Sequence, residues 1–101
     1  MSSDKSAALK KELNESIGPV TWADLRKHLA RDVIIIVVPE TPLLDAAIAI
    51  AENNQAQVTT WIQDGVLTKP NTQQLEHWEK NLNLPFLSLV VQPFILIQLL
   101  N

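Results

Sequence analysis

The segment "PFLSLVVQPFILIQLL", residues 85–100, constrains this chain more than any other feature. Its odd positions read Leu87, Leu89, Val91, Pro93, Ile95, Ile97 and Leu99, while Ser88, Gln92 and Gln98 fall on even ones. A period of two is that of a strand, whose successive side chains point to opposite faces. Taken as one uninterrupted strand, residues 86–99 cover roughly 46 Å at about 3.3 Å each. A compact domain of this length has a radius of gyration of only about 13 Å. The strand therefore bends or bulges, most naturally at Pro93, or it projects beyond its own subunit. Pro93 has no N–H to give a ladder, which points to an edge or a bulge. A long apolar edge is a template for another chain. Phe86, Leu87, Leu89, Val91, Phe94, Ile95, Ile97 and Leu99 are thus the candidate interface. The expected partner is a second copy, in a C2 homodimer that continues the sheet or buries the tail, or else another protein.

A membrane anchor is the competing reading, since no charged residue occurs from Leu84 to Leu100. Pro85 and Pro93 interrupt that run, its polar residues alternate, and no basic cluster flanks it. A second strand is "VIIIVV" (33–38), wholly β-branched and ended by Pro39. Its unbroken apolar run implies burial on both faces. Residues 66–68 offer a third, short strand. With three helices between 33–38 and 86–99, the connection is long enough to make those two strands parallel neighbours, and an antiparallel arrangement stays open.

The helices are marked by their ends. One is expected over Ala7–Ser16, broken at Gly18-Pro19. Thr21 caps the next, with Asp24 at the capping-box position and Val20 and Leu25 as the hydrophobic staple. Thr41 and Pro42 open a third over "LLDAAIAIAE", apolar nearly all round and so central. A fourth covers residues 55–64 and stops at Gly65. Asn71, with Gln74 three residues on, starts a fifth whose inward stripe is Leu75, Trp78 and Leu82. The fold class is α+β: about five helices on one small sheet of two or three strands. Residues 1–6 are small and polar, expected to be disordered, and 7–101 form a single globular domain.

In order along the chain, "VTWADL", "VVPETPLLDAAIAIAENN", "VTTWIQDGVLTKP" and "VVQPFILIQ" resemble a family of short bacterial proteins described as domain of unknown function 2288. The resemblance runs from about Leu9 to the C-terminus. It implies a stand-alone bacterial protein with no assigned activity, cofactor or catalytic residue.

Chemistry is sparse in the residues themselves. There are two histidines, two glycines and no cysteine or tyrosine. Thiolate chemistry and disulfides are excluded, a cytoplasmic location fits, and the N-terminus holds no apolar run of signal-peptide length. His28 and His77 belong to no metal-ligand spacing, and no phosphate-cradling glycine loop exists. Glu40, Asp45 and Glu52 form a conceivable carboxylate cluster. Their simpler reading is a helix-dipole partner at Asp45 and solvated charges elsewhere. Neither a cofactor nor a metal is expected, and the chain reads as non-enzymatic.

One local pattern points elsewhere. Val58, Trp61, Ile62, Gly65 and Leu67 give V-x-x-W-I-x-x-G-x-L, which resembles the recognition helix of excisionase-type helix-turn-helix proteins. A nucleic-acid regulator using 42–68 is the alternative function, with Gln57, Thr60, Gln63 and Lys69 as its contact face. Electrostatics weigh against it. Residues 1–32 carry six basic and five acidic side chains, but from Val33 onward two lysines face six carboxylates. Phosphate neutralisation supplies most nucleic-acid affinity, and the helix offers no arginine or lysine. Val58, Trp61 and Ile62 read better as core contacts.

Overall fold

The structure is a computed structural model that describes the backbone of residues 2–100 and the side chains of residues 7–100. Five helices and one five-stranded mixed sheet confirm the α+β class, with more strands than expected. In chain order the elements are α1 (Ser2–Glu15), β1 (Gly18–Thr21), α2 (Trp22–Leu25), a 3₁₀ turn (Arg26–Arg31), β2 (Ile34–Val37), α3 (Leu43–Ala51), α4 (Gln55–Gln63), β3 (Leu67–Thr68), α5 (Thr72–Glu79), β4 (Pro85–Val91) and β5 (Phe94–Leu99). The sheet order is β1-β4-β5-β2-β3.

The tail segment is the main correction. It is no single bent strand but a hairpin, reversing at Gln92-Pro93, whose peptide is cis. Val91 pairs with Phe94 and Phe86 with Leu99, so each odd position of β4 lies opposite an even position of β5. One sheet face takes Phe86, Ile95 and Ile97; the other takes Leu87, Leu89, Val91, Phe94 and Leu96. The alternation read straight through Pro93 thus changes face at the turn. Neither strand is an edge: β1 covers β4, and β2 pairs with β5 in the parallel sense that the long connection suggested.

β1 is a strand that local pattern did not announce. Gly18-Pro19 reads in sequence as a break, and Val20 and Thr21 as the staple and cap of the next helix. Pairing with Phe86 and Leu87, seventy residues or so away in sequence, recruits it to the sheet edge, where Pro19 costs no ladder bond. β3 is the other edge, antiparallel to Ile36 and Val37.

Helices cover both faces. On one, Leu13 of α1 and Leu43, Ala46 and Ala47 of α3 pack on Val37, Leu67, Leu89, Val91 and Leu96. The alanines let α3 lie close to the sheet. On the other, Trp22, Leu25 and Trp78 pack on Ile34, Phe86, Ile95 and Ile97. The rings of Trp22, Trp78 and Phe86 sit 5.0, 5.0 and 6.2 Å apart in tilted or edge-on pairs, the geometry that ring quadrupoles favour. β2 is covered on both sides, as its continuous apolar run required.

Helix ends follow the sequence closely. The Asp24 carboxylate accepts from the Thr21 N–H at 3.3 Å, and Asn71 and Gln74 exchange bonds at 2.8 and 3.0 Å. Gly65 stops α4 at φ +78°. Three details differ. α1 begins at Ser2, within the segment expected to be disordered, whose composition contains no helix breaker. α2 lasts one turn before tightening to a 3₁₀ turn that ends at left-handed Asp32. α3 is capped by Pro42, one residue later than expected.

Candidate functional site

The residues singled out as a possible interface are spent inside the subunit. Phe86, Leu89, Val91, Ile95 and Ile97 are buried, and Leu87 and Phe94 are half-buried. Leu99 alone stays open, at 41% exposure. Pairing and the change of face at Pro93 divide the set between two cores, so it forms no common surface.

The alternative nucleic-acid face is likewise dispersed. Thr60 gives its hydroxyl to the Ala56 carbonyl at 3.0 Å, Gln63 is exposed, and Gln57 is half-buried. Lys69 lies beyond β3, with its ammonium 2.5 Å from the Asp32 carboxylate. Among the described residues no three histidines or carboxylates are grouped to hold a metal. Asp45 sits in the first turn of α3, and Glu40 and Glu52 are exposed near its two ends.

One ion-paired cluster is well built. The Glu79 carboxylate accepts from the indole N–H of buried Trp22 and from Arg26, 2.5 Å away. These two donors, Trp22 first, hold its pKa below the ordinary glutamate value. The cluster orients the indole of Trp22.

The concavity lies elsewhere. α3 rests on the sheet, and α4 rests on α3 and β3. Val58 and Trp61 turn toward the core as expected. Ile62 does not: at 58% exposure it corrects its assignment as a core contact. Gln55, Val58, Thr59 and Ile62 fall at i, i+3, i+4 and i+7, one helical face that overhangs the sheet. Between this face and Ile35, Leu67 and Phe94 opens a groove of about 810 Å³, whose lining also includes Ile50, Asn53, Asn54, Thr68 and Lys69. That volume lies within the range of about 300–1,000 Å³ typical of small-molecule sites, as does its apolar floor with a few polar groups. Its one feature visible in the sequence was the apolar Val58/Ile62 stripe, which reads equally well as core.

The fold and this groove define a small α+β protein with a mixed sheet between helices and a concave apolar surface under α4. The chain belongs to the family described as "Protein of unknown function (DUF2288)", which matches residues 8–99. In fold it is similar to PA1075 from Pseudomonas aeruginosa, solved in solution by NMR. The TM-score is 0.78 at 23% identity, over 93% of this chain and 86% of that one. Comparison with curated proteins returned no match. Among the described residues no helix is long and apolar enough to cross a membrane.

Proposed function

We propose that this protein is a non-enzymatic binding protein whose working element is the groove under α4. The observation that carries this reading is the character of the wall: Ile35, Ile50, Val58, Ile62 and Phe94 face a concavity lined by no histidine or carboxylate. Such a surface can desolvate an apolar body, and its one titratable side chain, Lys69, has no histidine or carboxylate beside it on the wall to form an acid–base pair. Ile62→Glu tests it. Ile62 is exposed, so the substitution changes stability by no more than about 0.5 kcal/mol. It abolishes uptake of a neutral fluorophore, N-phenyl-1-naphthylamine, measured by its emission increase. Undiminished uptake by the folded variant removes the groove from the function.

A second reading keeps self-association but moves its surface. Leu82 and Leu100 are both 40% exposed and lie with Leu99 at the end of the sheet where β4 starts and β5 ends. A second copy of the chain burying these leucines is the homodimer that this surface supports. Light scattering at tens of micromolar then gives twice the 11.3 kDa chain mass, reduced to one chain by Leu99→Glu. A native mass of one chain ends this reading. Nucleic-acid binding is not adopted, because its contact face offers a single cation, Lys69, where phosphate neutralisation draws on several.

A further inference from the structure

The composition of the groove wall goes further than its shape. Of the residues that line it, six are apolar, and the rest carry amides or hydroxyls with one exception. That exception is Lys69, the sole formal charge on the wall. None of the chain's 11 acidic residues lines the groove, although the chain as a whole carries a net charge of −3. The groove is therefore a largely apolar trough with one cation on its wall. We propose that it binds a small amphiphilic monoanion, an apolar carboxylate whose body lies along Ile35, Ile50, Val58, Ile62 and Phe94 and whose carboxylate meets the Lys69 ammonium. This assignment rests on the groove being the binding element and names its ligand class.

Three further features support the class. First, the present partner of Lys69 does not compete for the trough. Asp32 lies on its other side, lining with Lys69 a separate cavity of about 200 Å³. Second, the pair is weak. Its side chains are 61% and 72% exposed, and ion pairs in that setting add little. An ammonium has three donors, so Lys69 can hold Asp32 and a ligand carboxylate together. Third, Thr68 and Thr59 place hydroxyl-bearing residues on the same wall, groups able to donate to a carboxylate oxygen. A cationic amphiphile finds no counter-charge there, and a neutral one gains only the apolar contact. The long-range repulsion from the net charge is screened beyond about 10 Å at 0.1 M salt, whereas contact with Lys69 is not.

The test is competition for groove-bound N-phenyl-1-naphthylamine by decanoate and decyltrimethylammonium, each below its micelle concentration, and by decanol below its solubility limit, with circular dichroism to verify folding. Decanoate is expected to displace the probe at a concentration roughly threefold lower than decanol, the scale of one solvent-exposed ion pair. Lys69→Gln removes that difference and leaves decanol unchanged. Asp32→Asn, which frees Lys69, lowers the decanoate midpoint further. Equal midpoints for decanoate and decanol on the native protein overturn the monoanion proposal while the groove reading stands. Failure of the native protein to take up the probe overturns both. A native dimer that Ile62→Glu converts to monomer also overturns the proposal, because the groove is then filled by a second copy.

Discussion

Trp22 is wholly buried, yet its indole N–H ends on a surface carboxylate, which adds a polar tie between α5 and α2 to the contact of the Trp22 and Trp78 rings. Because Glu79 ionises more readily in the folded state, its contribution to stability is full above the unfolded value near 4.3 and fades as pH falls through the lower folded value. Glu79→Gln therefore lowers the urea midpoint at pH 7 and lowers it less at pH 3, below the unfolded value, where the gain from easier ionisation in the folded state is smaller. Equal shifts at the two pH values count against this account. The two glycines make a sharper pair. At Gly65 an added Cβ meets nothing within 4 Å, but φ is +78°, so Gly65→Ala costs about 1 kcal/mol through the backbone alone. Gly18 also has open space and no such dihedral, so Gly18→Ala is neutral or stabilising by up to about 1 kcal/mol. Thermal unfolding of both variants decides, and equal losses at the two sites contradict it.

At the level of elements, what was legible was local. Thr21 with Asp24, Asn71 with Gln74, and Gly65 mark helix ends because caps are satisfied within three or four residues. The parallel pairing of β2 with β5 followed from connection length. The tail misled because Gln92-Pro93 carries none of the Asn-Gly or Asp-Gly chemistry that announces a two-residue hairpin. The segment is apolar on both sides of that turn, so period two persisted across it while the faces exchanged. β1 was illegible for a different reason: four residues with a glycine and a proline become a strand only through β4, far along the chain. Gln98 shows the same limit. Its amide donates to the carbonyls of Val38 at 2.9 Å and Thr41 at 2.5 Å, holding the turn into α3, and nothing near it in sequence predicts this. The groove is hardest of all, since a void exists only once α4 has been set at its distance from the sheet.

For the whole molecule, the sheet is shared by two cores. Trp22 and Trp78 report on one face, while Trp61 packs against the other. β5 presents Leu96 to the first cluster and Ile95 and Ile97 to the second, so neither face is independent. Leu96→Ala is expected to cost about 2–5 kcal/mol and to shift tryptophan fluorescence and far-ultraviolet circular dichroism to the same lower midpoint. Separated transitions for the two signals mean that the layers unfold apart.

The strand order also sets a clock. The only tight pairing between neighbours in the chain is the β4–β5 hairpin, and isolated hairpins close in about 1–10 μs. Every other pairing of these strands must be fetched from afar: Ser88 pairs with Gly18 some seventy residues away, and Ile97 with Ile36 some sixty away. Chains dominated by such distant contacts complete folding in roughly milliseconds to seconds. Between those two times a hairpin rich in valine, isoleucine and leucine has both edges unpaired and both faces bare. That interval, rather than the finished fold with its short edges, is when this chain is most exposed to capture by another copy of itself.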